Sequence, residues 1–132
     1  MERGLLWIIA ALLTLALTGT PGPAPAEPAP EPAAPPAAKL TVVMGRDGAM
    51  AFEPPMLTVR RGSVVELTLV NKDTAQSHSL VIPDLNAKSR QVMPGDTVKL
   101  VFTAAKAGSF RFYCDVPGHK DAGMVGAITV QP

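Results

Sequence analysis

The segment FYCDVPGHKDAGM, residues 112–124, decides how this chain is interpreted. It carries a thiol, an imidazole and a thioether at Cys114, His119 and Met124, on a loop between the last two predicted strands. A glycine immediately precedes the histidine and the methionine. Because glycine adopts backbone conformations that other residues avoid, such a loop is able to fold back and bring three side chains together. The only other histidine of the chain, His78, opens another predicted strand.

The chemistry of these four side chains favours one kind of metal site. A thiolate, two imidazoles and a distant thioether form the ligand set of a type 1, or blue, copper centre. The single cysteine excludes an internal disulfide, a zinc cage of several thiolates and an iron–sulfur cluster. One thiol and two imidazoles therefore match one mononuclear copper ion that cycles between Cu(I) and Cu(II).

From residue 39 onwards, short apolar runs are separated by Gly, Pro, Asn and Asp. Several runs alternate as half-buried strands do, with Val98, Leu100 and Phe102 on one face. No window shows sustained helical periodicity. Seven or eight strands in residues 39–132 predict an all-β fold, an antiparallel sandwich. The predicted strands are Leu40–Met44, Met56–Val59, Val64–Val70, Ser79–Ile82, Val98–Phe102, Phe110–Cys114 and Gly126–Val130.

The loop at residues 112–124 resembles the copper-binding loop of the cupredoxins, and the resemblance extends from Leu40 to Val130. It implies a Greek-key β-sandwich of about eight strands with copper at one end. It also implies three equatorial ligands and one axial ligand, which are His78, Cys114 and His119, and Met124. The other segments that resemble the family are residues 70–73, 93–97, 108–114 and 123–130.

Two residues beside the candidate ligands differ from the usual pattern of the family. Many cupredoxins have Asn after the first histidine, where it ties the two ligand-bearing loops together, but this chain has Ser79. The residue after the cysteine is often Ser or Thr, and here it is Asp115. Because groups around the ligands orient them and tune the potential, we expect these changes to affect the reduction potential and not the ligation. We expect that potential to be positive.

The N-terminal part of the chain predicts export. An uncharged apolar run, residues 5–18, is shorter than the ~20 residues that span a bilayer and is typical of a signal peptide. We assign residues 1–20 to a signal peptide, with an uncleaved N-terminal membrane anchor formed around residues 5–18 as the alternative. Residues 21–38 are mostly proline and alanine and predict an extended linker. Residues 39–132 form the cupredoxin domain, which we expect in the periplasm or another extracytoplasmic compartment.

The charge of the domain argues against a nucleic-acid partner. Eleven of the 12 basic and eight of the 11 acidic residues lie in residues 39–132, a net charge of +3. That is too weakly basic for an electrostatic nucleic-acid surface. Small apolar residues flank His119, and the family resemblance implies that such a patch docks redox partners. We therefore expect a monomer that meets redox protein partners near His119.

The leading functional prediction is a one-electron carrier between extracytoplasmic redox partners, and not an enzyme in its own right. The alternative is an extracytoplasmic copper delivery or storage protein that supplies an oxidase, because its ligands overlap with those of a carrier. A cysteine hydrolase built on Cys114 is a third hypothesis, but no motif indicates an oxyanion hole or a residue that orients the base. Taken alone, Cys114 also fits a buried structural thiol and Met124 a core methionine.

Overall fold

The computed structural model describes residues 38–132 and, in the N-terminal part, residues 19, 22 and 24–26. The predicted leader, residues 1–20 with their apolar run, and the predicted linker, residues 21–38, otherwise lie outside the described residues. Within the described part of the chain, no helix is long and apolar enough to cross a membrane. The first strand begins at Ala38, one residue before the predicted start of the domain.

Two β-sheets make up the domain, and nine strands are described. The first sheet has the order β2-β1-β4-β7 and the second the order β3-β9-β8-β5-β6. Two single 3₁₀ turns connect strands, at Arg46–Gly48 and Pro83–Leu85. The strands are β1 (Ala38–Met44), β2 (Phe52–Glu53), β3 (Met56–Arg60), β4 (Val64–Asn71), β5 (Val81–Ile82), β6 (Ala87–Lys88), β7 (Thr97–Thr103), β8 (Gly108–Tyr113) and β9 (Val125–Gln131).

The all-β sandwich predicted from the sequence is confirmed, with two differences. Nine strands are described where seven or eight were expected, because β2 and β6 are two residues long and too short to show an apolar run. The pairing is mixed and not wholly antiparallel, since β1 runs parallel to β4 and β3 runs parallel to β9. An alternating pattern reveals the buried face of a strand but not the direction of its neighbour, so the sequence could not show this.

Buried and exposed residues alternate along the strands, and the buried ones form the core between the two sheets. In β7 the predicted inward face is confirmed, because Val98, Leu100 and Phe102 are buried while their neighbours are exposed. In β8 Phe112 is fully buried and contacts Phe52 edge-to-face, with ring centroids 5.1 Å apart. Burying one such side chain stabilises the fold by about 1.5–3 kcal/mol.

Strand register brings the ligand-bearing segments to one end of the sandwich. The last residues of β1 and β4 lie opposite each other, because Met44 pairs with Asn71. The last residue of β8 pairs with the first residue of β9, Tyr113 with Val125, and Tyr113 also pairs with Val81 of β5. The segment after β4 and the loop after β8 therefore meet at the same end of the sandwich.

Candidate metal centre

The loop between β8 and β9 is closed by its own main chain. The Cys114 N–H donates to the Met124 carbonyl at 3.1 Å, and the Met124 N–H donates to the His119 carbonyl at 3.0 Å. Gly118 has φ +83°, a left-handed conformation that favours glycine and turns the chain just before the histidine. The loop therefore folds back as the sequence predicted and carries all three of its candidate ligands inward.

The segment that carries His78 is held by residues distant in sequence. His78 and Val92 form an antiparallel bridge, with N–H to carbonyl distances of 3.1 and 2.7 Å. The fully buried Asn71 side chain reinforces this bridge, because its amide nitrogen donates to the Val92 carbonyl at 2.8 Å. The same nitrogen donates to the Gln76 carbonyl at 2.9 Å and so fixes the turn before the histidine.

Three of the four predicted ligands converge on one point. The two imidazoles face each other with 3.2 Å between His78 Nδ1 and His119 Nδ1, and His119 Nδ1 lies 3.6 Å from Cys114 Sγ. The ligand atoms of all three residues lie within 4.8 Å of one another. Bonds from nitrogen and sulfur ligands to a zinc ion are about 2.0–2.3 Å long, so one ion of similar size between these atoms is able to contact all three. The donor set therefore fits a single thiophilic metal ion.

The fourth predicted ligand is placed by the loop. The Met124 side chain is fully buried and lies directly before β9. Its main chain is bonded to both Cys114 and His119, so its position is tied to those two candidate ligands. Its burial also fits a methionine of the hydrophobic core.

Asp73 determines which ring nitrogen of His78 carries the proton. The carboxylate oxygen Oδ2 lies 3.0 Å from His78 Nε2, and both side chains are buried. Because the carboxylate accepts, Nε2 carries the ring proton and Nδ1 keeps its lone pair towards His119. The N–H of Ala75 and then the imidazole of His78 lower the pKa of the Asp73 carboxyl to about 2. The carboxylate therefore remains an ionised acceptor at all ordinary pH values.

His119 lies between the buried site and the surface. It is 7% exposed, whereas His78 and Cys114 are fully buried. Burial, followed by the nearby His78, lowers the pKa of the His119 imidazole. A lowered pKa favours the neutral ring, which is the form that binds a metal ion.

The two residues that depart from the family pattern contact each other. The Ser79 hydroxyl donates to Asp115 Oδ1, and the Asp115 N–H donates back to Ser79 Oγ at 3.1 Å. The backbone N–H of Ser79 lies 3.4 Å from Cys114 Sγ. Lys88 Nζ approaches Asp115 Oδ2 at 2.6 Å, and Lys88 followed by Ser79 lowers the pKa of the Asp115 carboxyl. The link between the two ligand-bearing segments is thus supplied by a serine and an aspartate.

Sequence reasoning assigned no role to two residues that support the site. Gly45, which directly follows β1, has φ +65°, and a Cβ added there would overlap the His78 ring. Asp73 belongs to a segment that resembles the family, but its contact with His78 was not foreseen. A carboxylate five residues before a candidate ligand was a usable signal for Asp73, whereas nothing local to Gly45 indicated its contact.

Sequence comparison finds one family model and relatives whose names describe copper proteins. A family model described as the cupredoxin-like domain matches residues 6–130. The copper-resistant cuproprotein CopI of Rubrivivax gelatinosus is 32% identical over 113 residues, which cover 71% of this chain and 68% of that protein. A copper-containing nitrite reductase of Neorhizobium galegae is 42% identical over 88 residues, 59% of this chain and 23% of the enzyme. The chain thus spans about a quarter of the length of that nitrite reductase.

Solved structures share the same sandwich. Reduced auracyanin from Roseiflexus castenholzii superposes with a TM-score of 0.67 and 25% identity, over 74% of this chain and 100% of auracyanin. Auracyanin B superposes with a TM-score of 0.67 and 24% identity, over 75% of this chain and 92% of that protein. The second similarity supports the fold alone.

Proposed function

This chain belongs to the cupredoxin-like family, and we propose that it acts as a one-electron carrier. Its cofactor is copper, as the ligand types predicted, and one ion matches the ligand count. We assign that ion to the four residues identified in the sequence, His78, Cys114, His119 and Met124. The convergence of two imidazoles and a thiol in a buried site is the observation that carries this proposal.

The side chains of this site suit electron transfer better than bond chemistry. Copper held by a thiolate, two imidazoles and a weak thioether cycles between Cu(I) and Cu(II) by one electron. Asp73 holds His78 in the tautomer that leaves Nδ1 free to bind, and burial of the thiol keeps water from the sulfur. A site held rigidly by its neighbours rearranges little when its charge changes, and this favours fast transfer.

The proposal includes no catalytic step by this chain alone. A catalytic copper keeps an open position for substrate, whereas four ligands from the protein leave none in the arrangement we propose. The nitrite reductase similarity covers under a quarter of that enzyme. It therefore supports the shared domain and not the whole activity.

The surface near His119 supports contact with redox proteins. The histidine keeps a small exposed fraction, 7%, and exposed small residues lie on either side of it in sequence, Pro117, Gly118, Ala122 and Gly123. Electron-transfer encounters are small and brief, so an apolar rim of this kind is sufficient. Exposed Lys120 and Asp121 then adjust orientation and the association rate. We propose that a monomer meets its redox partners at this surface, in an extracytoplasmic compartment.

Copper delivery or storage is the second candidate. Its support is the 32% identity to a copper-resistant cuproprotein, over 68% of that protein. Against it, the three converging side chains are almost fully buried, whereas direct transfer of a metal ion needs accessible ligands. The carrier is therefore the better supported of the two.

The test of the carrier is the visible spectrum on addition of Cu(II), followed by voltammetry. An intense thiolate-to-copper charge-transfer band with a reversible one-electron wave at positive potential supports the carrier. A colourless protein that binds Cu(I) only and surrenders it quickly to a chelator supports delivery. Replacing Met124→Leu tests the axial assignment, because copper and the band should remain while the potential rises.

A further inference from the structure

The Ser79 hydroxyl lies between two groups that compete for its proton. Ser79 Oγ is 3.7 Å from Cys114 Sγ and is also hydrogen-bonded to Asp115 Oδ1. A hydroxyl has one proton to donate. Because an ionised carboxylate only accepts, the proton must point to Asp115. The cysteine sulfur then faces the oxygen of Ser79 and not its proton.

A second bond keeps the hydroxyl in this orientation. The Asp115 N–H donates to Ser79 Oγ at 3.1 Å, so the serine oxygen accepts from the same residue that receives its proton. This reciprocal pair fixes the rotation of the hydroxyl. The backbone N–H of Ser79, 3.4 Å from Cys114 Sγ, is then the donor that Ser79 offers to the sulfur.

Lys88 holds the carboxylate that receives the proton. Its Nζ lies 2.6 Å from Asp115 Oδ2, while Asp115 Oδ1 accepts from Ser79. Lys88 pairs across the β5–β6 hairpin with Val81, two residues after Ser79. The same hairpin therefore presents both Lys88 and Ser79 to Asp115.

Hydrogen bonds to the cysteine sulfur tune the potential of a type 1 copper centre. A donor to the thiolate stabilises its negative charge and weakens its donation to the metal, which favours Cu(I). We propose that Asp115, held by Lys88, is a positioning residue that keeps the Ser79 hydroxyl proton off the Cys114 sulfur. The reduction potential is thereby lower than with a free hydroxyl. This inference rests on the copper site proposed above.

A double-substitution cycle tests this role. Asp115→Ala removes a negative charge and should raise the potential in any background. When Ser79 is present, the freed hydroxyl should also turn to the sulfur and raise the potential further. When Ser79→Ala is combined with Asp115→Ala, that second contribution is lost.

We expect Asp115→Ala to raise the potential more when Ser79 is present than in the Ser79→Ala background. The excess of the first shift over the second should correspond to at least a threefold change in the ratio of Cu(I) to Cu(II) affinity, which is about 28 mV at 59 mV per tenfold change. The charge-transfer band should move to higher energy with the excess. Equal shifts of potential with and without Ser79 would overturn the inference.

The role of Lys88 is tested by a second cycle. Lys88→Met removes one exposed positive charge, which should lower the potential through space whether or not Ser79 is present. Because the substitution also loosens Asp115, the potential should fall less when Ser79 is present than in Ser79→Ala. Equal falls in the two backgrounds would refute the part assigned to Lys88.

A measurement on the metal-free chain separates this inference from the proposed function. Absence of the charge-transfer band in the unaltered chain defeats the proposed function. Independently, the Asp115 amide should exchange slowly with solvent in the unaltered chain and faster in Ser79→Ala, because its acceptor is the serine oxygen. Unchanged exchange would overturn the inference whatever copper does.

Discussion

The two segments that supply the candidate ligands are built in different ways. The loop at residues 114–124 is closed by main-chain hydrogen bonds between its own residues. The segment at residues 71–79 also has side-chain hydrogen bonds of its own. Its histidine, however, is held in addition by residues far from it in sequence, since Val92 bridges to it and Gly45 packs under the ring. The first segment brings its candidate ligands together through local structure, and the second depends on the assembled sandwich.

This difference predicts where the site is fragile. A loop held by its own hydrogen bonds tolerates small changes at exposed positions, because its neighbours do not have to move. A side chain wedged between distant parts of the core has no such freedom, since packed interiors accommodate extra atoms poorly. Substitutions beneath His78 should therefore cost more than similar substitutions in the loop.

The largest effect should come from Cys114→Ser. A hydroxyl cannot replace the thiolate as a charge-transfer donor, so the intense visible band should disappear completely. Absorption after addition of Cu(II) measures this, and far-ultraviolet circular dichroism checks that the sandwich remains. A band that survives the substitution would place the copper elsewhere and would show that the loop does not supply its thiolate.

Gly45→Ala should be the substitution that most destabilises the segment at residues 71–79. A Cβ at this position meets His78 Nε2 and lies 2.8 Å from Asp73 Cβ. Overpacking costs about 1–3 kcal/mol, and the left-handed backbone costs a non-glycine residue about 1–2 kcal/mol. We expect a loss of about 2–5 kcal/mol in the free energy of unfolding, measured with urea on the metal-free protein.

Gly48→Ala is the matched control for this substitution. Gly48 has φ +77°, and no heavy atom of the described chain lies within 4 Å of an added Cβ. The substitution therefore carries the backbone cost of about 1–2 kcal/mol without the overlap. Equal losses at Gly45 and Gly48 would show that packing under His78 contributes nothing.

Asp73→Ala should have the next largest effect. It removes the acceptor of His78 Nε2 and of two backbone N–H groups, those of Ala75 and Gln76. A buried donor left without a partner costs about 1–3 kcal/mol, and loss of a group that orients a ligand lowers metal affinity about 10–100-fold. Competition with a copper chelator measures the affinity. Asp121→Ala, an exposed carboxylate on the ligand loop, should leave it almost unchanged.

Acid should remove the contribution that the Asp73 carboxylate makes to the stability of the fold. The pKa of its carboxyl is about 2 in the folded protein, below the ordinary 3.8. A lowered pKa stabilises the fold fully above pH ~4, and this contribution is lost as the pH falls through about 2. In the metal-free protein the difference in stability between the unaltered chain and Asp73→Ala should therefore shrink between pH 4 and pH 2. A constant difference over that range would show that the charge of Asp73 is not what stabilises the segment.

The same contrast explains what the sequence was able to predict. Cys114, His119 and Met124 lie within eleven residues, so their spacing alone carried the chemistry of the loop. Gly45 comes under the His78 ring only because β1 and β4 run parallel with Met44 opposite Asn71. That register is a property of the assembled sheet, and no local pattern contains it.

Ser79 and Asp115 show where sequence reasoning ended. Both were recognised as departures from the family, and both were expected to affect the potential. Their mutual hydrogen bonds span 36 positions in sequence and require Val81 to pair with Tyr113. The sequence could therefore identify the two residues but not their partnership.

The smallest effect should come from Gly118→Ala, in the loop itself. Gly118 has φ +83°, and an added Cβ meets no heavy atom of the described chain within 4 Å. Only the backbone cost of about 1–2 kcal/mol applies. Gly62→Ala, in a turn with φ +82° and equally open surroundings, is the matched control and should lose the same stability.

Gly118→Ala leaves every main-chain donor and acceptor of the loop in place, including the Gly118 carbonyl, which accepts from the Ala122 N–H at 3.0 Å. The substitution should therefore keep the charge-transfer band at its original energy. Urea unfolding and the visible spectrum measure the two quantities on the same sample. If Gly118→Ala costs as much as Gly45→Ala, or shifts the band while Gly62→Ala does not, the loop depends on its surroundings as much as His78 does. The loop would then owe its geometry to the whole sandwich, and the compact spacing of its three candidate ligands would be an effect of the fold and not its local cause.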